Sequence, residues 1–305
     1  MAGTRVDLRE DEAPVSKTMR IHPATRVTRL ALTVSDLARS MSFYQDLIGL
    51  RALEQDERSA TLGAPDEPML TLIEQPGASP WPRDGRSYAG LYHFAILLPT
   101  RTDLGRWLDH WLRQDMPLPG QGDHFVSEAL YLEDPDGHGI EVYRDRPRDE
   151  WEWNDGQVKM GVEPVDIRGL LEEAQRSADP WTGAPVGTTL GHIHLQVSDI
   201  TETARFYSEI LGFDIVARMP SALFMSAGGY HHHIGANIWH SRNAGPAPPD
   251  HVSLQHYTIE MPDSAGGDEV VHRLEAAGFE VRALDDAFSV SDPSGIRVDV
   301  GCRGS

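Results

Sequence analysis

The order of apolar and polar residues predicts a strand, a helix and three further strands at the start of the chain. Apolar and polar residues alternate from Arg29 to Val34, which is typical of a half-buried strand. Asp36 is a favourable helix N-cap, and the helical pattern that follows ends near Gly49, a residue that tolerates a left-handed C-terminal position. The three further strands are predicted at 51–54, 59–62 and 69–74.

The same order of elements is predicted three more times. A strand at 91–98, a helix at 103–115 and strands at 130–133 and 140–144 follow the first group, with an Asp-Pro-Asp-Gly turn before the last strand. After residue 188 the predicted elements are an early strand, a helix after Asp199 that ends near Gly212, strands at 214–219, 223–226, 230–239, 255–260, 288–290 and 297–300, and a helix at 267–277. The predicted fold class is α+β, with four βαβββ modules.

The residues themselves repeat as well as the pattern. Leu-Thr-Val-Ser-Asp-Leu at 32–37 returns as Leu-Gln-Val-Ser-Asp-Ile at 195–200, and Phe43-Tyr44 returns as Phe206-Tyr207, both 163 residues later (206 − 43). Tyr-His-Phe at 92–94 matches Gln-His-Tyr at 255–257, again 163 residues on. The turn at 134–137 matches Asp-Pro-Ser-Gly at 292–295, 158 residues on. A fixed shift of this kind indicates an internal duplication.

This duplication predicts a division of the chain. We expect a flexible leader at 1–23, a first domain at 24–145, a linker at 146–188 and a second domain at 189–303. The linker is polar, contains proline and glycine, and carries one amphipathic helix near Val165 to Ala178.

Composition narrows the possible locations and partners. The net charge of −20 disfavours binding to nucleic acid or to an anionic membrane. The single cysteine, Cys302, excludes an intrachain disulfide, and no apolar run is long enough to span a bilayer. We therefore expect a cytoplasmic protein. The unusual feature is the set of 14 histidines, of which three are consecutive at 231–233.

Taken together, these motifs resemble the vicinal oxygen chelate superfamily, which includes glyoxalase I, fosfomycin and bleomycin resistance proteins and extradiol dioxygenases. The resemblance covers roughly residues 27–302. The segments at 90–99, 127–131, 191–195 and 226–235 look most like the catechol 2,3-dioxygenase proteins of bacilli. The resemblance implies two domains with curved, cupped mixed sheets.

The resemblance also implies three metal-binding positions in each half. They are a histidine early in the first strand, a histidine in the first strand of the late module, and a carboxylate seven residues after the aspartate of the Asp-Pro turn. The corresponding residues here are Arg29 and His192, His93 and His256, and Glu141 and Asp299. Arg29 cannot serve as a ligand, because a guanidinium has no lone pair to donate.

Two assemblies remain open at this point. If each half folds on itself, the complete site is His192, His256 and Asp299. If the modules pair crosswise, as in swapped dimers of the superfamily, the complete site is His93, Glu141 and His192. We favour the crosswise site because it contains the family's usual glutamate, and in either case we expect only one complete site.

Further residues are implied by comparison with extradiol enzymes. Tyr131, three residues before Asp134, corresponds to their active-site tyrosine, and His124 corresponds to a histidine behind the metal ligands. His232 aligns with their catalytic histidine, although a shift of one residue would transfer that role to a neighbour. If 230–239 is a strand, alternation sends His231 and His233 to one face and His232 to the other.

We therefore predict an extradiol dioxygenase that cleaves a small aromatic diol with O₂. Two neutral imidazoles and one carboxylate are the facial triad of non-haem Fe(II), with Mn(II) as the alternative metal. The other candidate functions are isomerisation or thiol transfer at a metal, and metal-free binding of a small molecule. The glyoxalase pattern adds a second glutamate, and the segment 230–239 offers no acid. Self-association into a homo-oligomer is possible.

Overall fold

The structure is a computed structural model that describes residues 20–82, 88–177 and 179–302. It contains two curled eight-stranded sheets, a small two-stranded sheet and five α-helices. No helix in these ranges has both the length and the apolarity needed to cross a membrane.

The strands are β1 (Arg26–Val34), β2 (Arg51–Gln55), β3 (Ser59–Ala64), β4 (Glu67–Glu74), β5 (Gly90–Leu97), β6 (Gly120–Asp123), β7 (Ser127–Glu133), β8 (Gly139–Asp145), β9 (Trp153–Asn154), β10 (Gln157–Val158), β11 (Thr189–Gln196), β12 (Asp214–Met219), β13 (Ala222–Ser226), β14 (Ile234–Asn237), β15 (Leu254–Met261), β16 (Arg282–Ala283), β17 (Ala287–Ser291) and β18 (Arg297–Cys302). The helices are α1 (Leu37–Ser42), α2 (Arg101–Arg113), α3 (Ile167–Arg176), α4 (Ile200–Ala204) and α5 (Ser264–Ala276).

Each large sheet combines the two halves of the chain. The first has the order β16-β17-β18-β15-β1-β4-β3-β2, and the second has the order β12-β13-β14-β11-β5-β8-β7-β6. The joins are antiparallel pairs between β1 and β15 and between β11 and β5. The early module of each half therefore pairs with the late module of the other half, which is the crosswise assembly favoured above. The residue limits predicted for the two domains stay a prediction.

The predicted helix boundaries after Asp36 and Asp199 are confirmed. The Asp36 side chain accepts a hydrogen bond from the Arg39 backbone amide at 2.9 Å, and Asp199 caps α4 in the same way. Each helix then continues as a π-helical segment, which is Phe43–Ile48 after α1 and Arg205–Ile210 after α4. The turns that follow need a positive φ, which glycine supplies at Gly49 and Gly212.

The repeated Phe-Tyr pairs pack in the core. Tyr44 and Tyr207 are fully buried, so each hydroxyl group needs a hydrogen-bond partner. Tyr44 donates to Asp134 at 2.9 Å, and Tyr207 donates to Asp292 at 3.1 Å. These aspartates begin the two Asp-Pro turns, so the same buried contact ties each early module to the late module of its own half.

The prediction of a strand over 230–239 is wrong in its first part. Only Ile234–Asn237 forms a strand, β14, and the three histidines lie in the irregular segment before it. Gly228 and Gly229 have φ values of +61° and +67°, so the chain turns there instead of extending. The alternation argument for the histidine run therefore does not apply. Short strands such as β6 were not predicted, because β6 is too polar and glycine-rich to show alternation.

The predicted leader falls largely outside the described residues. Of its last residues, Ile21 is buried and its backbone amide donates to Gly212 O at 2.9 Å. The linker helix α3 packs on α2 at Gly105, where an added Cβ would lie 2.3 Å from Leu170 O. Leu170 is fully buried at this contact, so the linker is anchored to the outside of the second sheet.

Candidate metal centre

Three adjacent strands bring His93, Glu141 and His192 to one face of the second sheet. In the register of β11, β5 and β8, His192 is opposite Ala95, and Ala95 is opposite Glu141. Residues paired across strands share a face, as do residues two apart on one strand, so His93 joins them. The small side chain of Ala95 leaves room between the three larger ones.

The three ligand atoms converge closely. The Nε2 atoms of His93 and His192 each lie 3.1 Å from Glu141 Oε2, and the donor atoms of all three residues lie within 4.8 Å of one another. The exposed fractions of His93, Glu141 and His192 are 7%, 2% and 1%. No other group of three histidine, cysteine or acidic side chains in the described ranges meets the same condition.

These residues fit a divalent metal. His93 Nε2 is buried and has no hydrogen-bond partner despite its close approach to Glu141, so the nitrogen needs another partner. Two ligands bound at right angles, each about 2.1 Å from an ion, lie about 3.0 Å apart, which agrees with the 3.1 Å between Glu141 Oε2 and each histidine Nε2. Imidazole nitrogen with one carboxylate is a donor set that suits a transition metal.

Electrostatics favour the protonation states that a metal requires. Burial alone raises the pKa of the Glu141 carboxyl, but the imidazoles of His192 and His93 outweigh it and hold that pKa well below its usual value. Burial lowers the pKa of the His93 imidazole, against the opposing effect of Glu141. An ionised carboxylate beside a neutral imidazole has lone pairs ready for a cation.

His93 and Glu141 line a cavity of about 570 Å³, and His192 contacts Glu141 next to it. Its apolar lining residues are Val126, Leu132, Ile140, Met160, Val162, Met219, Phe224 and Trp239. Met160, Gly161 and Val162 belong to the linker, which reaches the cavity because Asp123 and Glu163 exchange two backbone hydrogen bonds of 2.8 and 3.0 Å. A small aromatic molecule fits a volume of this size and lining.

Tyr131 and His124 form a hydrogen-bonded pair at the cavity wall. His124 Nε2 lies 2.6 Å from the Tyr131 hydroxyl, and His124 Nδ1 lies 2.8 Å from Gly161 O. A carbonyl oxygen only accepts, so Nδ1 carries a hydrogen and Nε2 of the neutral ring accepts from the tyrosine. Burial and the nearby Glu141 raise the pKa of the Tyr131 hydroxyl well above its usual value.

His232 lies directly against the triad. Its ring centroid is 4.1 Å from that of His192, and both His231 and His232 line the cavity. Burial lowers the pKa of the His232 imidazole well below its usual value, and the neighbouring His192 lowers it further. His233 does not line the cavity, and its Nδ1 accepts the Ala227 backbone N–H at 3.2 Å.

The cavity also contains residues that the sequence analysis did not single out, above all Tyr92 and Trp239. Strict alternation would place Tyr92 and His93 on opposite faces of β5, yet both line the cavity. The register between β5 and β11 shifts at this point, since His93 pairs with His194 and Leu91 pairs with Leu195. A β-bulge of this kind redirects side chains and has no clear signal in one sequence. His194 also lines the cavity.

The matching positions of the first sheet do not form such a group. Arg29 is exposed on β1, and His256 Nε2 lies 3.7 Å from Asp299 Oδ2. Arg297 binds both oxygens of Asp299, at 2.9 and 3.0 Å. The second complete set considered above is also not formed, because His192 lies in the other sheet.

A curated relative supports these observations. The chain is 46% identical over 277 residues to catechol-2,3-dioxygenase of Bacillus subtilis (strain 168), an alignment that covers 90% of this chain and 95% of the relative. Among solved structures, a provisionally assigned dioxygenase from Bacillus subtilis subsp. subtilis str. 168 has a TM-score of 0.62 at 14% identity, covering 94% of this chain and 87% of the other. Glyoxalase I from Zea mays has a TM-score of 0.54 at 14% identity, covering 92% of each chain. Similarity at this level of identity shows a shared fold.

The family profile matches both halves. The Glyoxalase/Bleomycin resistance protein/Dioxygenase superfamily covers residues 26–142 and 189–300. These ranges contain all three members of the triad and all four modules. The chain therefore belongs to the glyoxalase/bleomycin resistance protein/dioxygenase superfamily.

Proposed function

We propose that this protein is an extradiol dioxygenase that opens the ring of a catechol-type substrate beside its two hydroxyl groups, using O₂ and Fe(II). The observation that carries the proposal is the buried convergence of His93, Glu141 and His192 beside an aromatic-sized cavity, which His93 and Glu141 line. The 46% identity to a catechol-2,3-dioxygenase supports the same reaction. Mn(II) is the alternative metal.

His93, Glu141 and His192 would hold the metal. The chemistry that Fe(II) supplies with such ligands is a set of open positions for a diol and O₂, together with positive charge that acidifies the diol. The ligands contribute one negative charge in all, so the centre keeps net positive charge. Their burial and the apolar wall exclude competing water.

The surrounding residues would bind and orient the substrate. Tyr131 donates its hydroxyl hydrogen to His124, so its oxygen would accept a hydrogen bond from a substrate hydroxyl group beside the triad. His232 is neutral and buried, so it can accept a proton from a diol hydroxyl group. Phe224 and Trp239 line the cavity near His194 and would contact the faces or edges of the aromatic ring.

The experiment is metal analysis followed by O₂ uptake with catechol on protein loaded anaerobically with Fe(II). We expect about one divalent ion per chain and consumption of one O₂ for each ring opened. Two tightly held ions per chain, or binding of catechol without O₂ uptake, would contradict the proposal. Loading with Mn(II) in parallel decides between the two metals.

The alternative reactions find less support. The glyoxalase pattern needs a glutamate on the strand that became β14, and Ile234–Asn237 contains no acid. A metal-free binding protein does not need three buried ligands of this kind. A cytoplasmic location and self-association remain predictions.

A further inference from the structure

Two hydrogen bonds connect His232 to Asp145 through His231. His231 Nε2 lies 2.9 Å from Asp145 Oδ1, and His231 Nδ1 lies 2.8 Å from His232 Nδ1. His231 is fully buried, whereas the Asp145 side chain keeps 23% of its surface exposed at the end of β8. None of these residues belongs to the metal triad, and the proposed reaction has so far used only His232.

The direction of the hydrogen bonds follows from the chemistry of the groups. A carboxylate only accepts, so His231 Nε2 carries the hydrogen toward Asp145. If the His231 ring carries only this one N–H, its Nδ1 accepts, and the hydrogen between the two Nδ1 atoms belongs to His232. Neutral His232 then carries its lone pair on Nε2. Among the residues that the structure describes, this Nε2 has no hydrogen-bond partner.

We propose that Asp145 and His231 are positioning residues that hold His232 as the Nδ1–H tautomer, with the Nε2 lone pair available to the metal cavity. The use of that lone pair rests on the proposed dioxygenase function. There, the O–H bond of a diol hydroxyl group breaks, its proton forms an N–H bond at His232 Nε2, and the electron pair stays on the diol oxygen. The opposite tautomer would present an N–H group to the cavity and could not accept this proton.

The tautomer can be measured without any turnover. Full-length protein with ¹⁵N-labelled histidine is loaded with diamagnetic Zn²⁺, and the ring nitrogens are observed by NMR. The His232 signals are identified by their loss in His232→Gln. We expect a protonated Nδ1 and an unprotonated Nε2 in the unchanged protein, and loss of this preference in His231→Phe. A protonated Nε2 on neutral His232 in the unchanged protein would overturn the proposal.

Kinetics separate positioning from packing. We expect Asp145→Leu and His231→Phe to lower kcat by about 10–100-fold, the usual effect of losing a group behind an active residue, with KM and metal content nearly unchanged. Asp145→Asn keeps an oxygen that accepts from His231, so it should recover most of the activity. If Asp145→Asn loses as much activity as Asp145→Leu, then the oxygen that accepts from His231 does not account for the role of Asp145, and the proposal fails.

The matched control is His233→Gln, which changes an equally buried neighbour outside the cavity. This variant should keep kcat within a few-fold of the unchanged protein. A loss of kcat equal to that of His231→Phe would mean that disturbed local packing, and not positioning, causes the effect. Circular dichroism tests whether each variant is folded. If Asp145→Leu is unfolded, Asp145→Asn is the variant of Asp145 that is compared with the unchanged protein. Absence of O₂ uptake in the unchanged protein would count against the dioxygenase, whereas the NMR result decides the tautomer on its own.

Discussion

The two large sheets have matched positions that carry different chemistry. On the second sheet, β11, β5 and β8 present His192, His93 and Glu141, whereas the first sheet has Arg29, His256 and Asp299 at the same places. The strand order around both sets is the same. The duplication has therefore kept the same scaffold twice, whereas, within the described residues, only the second sheet brings together three side chains that could hold a metal.

The residue two positions before the carboxylate differs between the two sheets, and this contributes to the difference in their chemistry. Arg297 binds Asp299, and it lies where the second sheet has Gly139, since both stand two residues before the carboxylate. An added Cβ at Gly139 would lie 2.1 Å from Tyr92 O, so no side chain can occupy that place beside Glu141. A metal site thus requires the right ligands and also the absence of a competing cation.

The largest expected effect is the loss of the site when one ligand is removed. We expect His93→Ala to abolish metal retention and to lower activity by more than the roughly 100-fold typical of residues behind a ligand. His256→Ala, the matched change on the other sheet, should keep both within a few-fold. Metal analysis and O₂ uptake measure the two effects, and the reverse pattern would show that His256, and not His93, is the metal ligand.

The next prediction is a gain of metal at the inactive site. Arg29→His restores a lone pair, and Arg297→Gly frees Asp299, so the double variant should bind a second, weaker ion per chain. Arg29→His alone should stay at one ion, because Asp299 remains paired with Arg297. Titration with Zn²⁺ gives the stoichiometry, and two ions in the single variant would refute the role given to Arg297.

A smaller effect is expected from the tyrosine of the cavity. Tyr131→Phe should retain the metal and lower kcat by about 10–100-fold, because a group that orients the substrate is lost while the triad is intact. The matched residue on the other sheet is Ser289, whose Oγ accepts from Arg297 at 2.9 Å. Ser289→Ala should leave kcat unchanged, and an equal loss in both variants would indicate a general effect on the fold.

The smallest effect concerns the shared scaffold. Tyr44→Phe and Tyr207→Phe each remove a buried hydrogen bond to an aspartate, so each should lower the free energy of unfolding by about 1–3 kcal/mol. Tyr207 also accepts a hydrogen bond from the buried Tyr257 hydroxyl at 2.8 Å, whereas the matching residue of the other half is Phe94, so the loss in Tyr207→Phe should be the larger. Urea denaturation measures both losses, and a larger loss in Tyr44→Phe would contradict this ranking.

Much of this comparison could be predicted from the sequence, because the duplication fixes which positions correspond. The shift of 163 residues aligned His192 with Arg29 and His93 with His256, and the chemistry of guanidinium alone marked one site as incomplete. The crosswise pairing was favoured on the presence of a glutamate and is observed between β5 and β11. Residue pattern and ligand chemistry sufficed for these conclusions.

The rest depends on details that have no periodic signal. The bulge at Tyr92 turns two consecutive side chains to one cavity, and the paired glycines before Tyr230 replace the expected strand by a turn. The linker residues Met160 to Val162 reach the cavity through backbone hydrogen bonds, which residue identity does not reveal. The bond from His231 to Asp145 joins residues 86 positions apart.

The central claim is that one metal is held by residues from both halves of the chain. The most direct measurement is a crystal structure of the Fe(II)-loaded protein with anomalous data collected at the iron edge. We expect a single peak at about 2.1 Å from His93 Nε2, His192 Nε2 and a Glu141 oxygen, in line with usual metal–nitrogen distances. A peak at His256 and Asp299, or the absence of any peak between His93 and His192 in protein shown to contain iron, would contradict the claim.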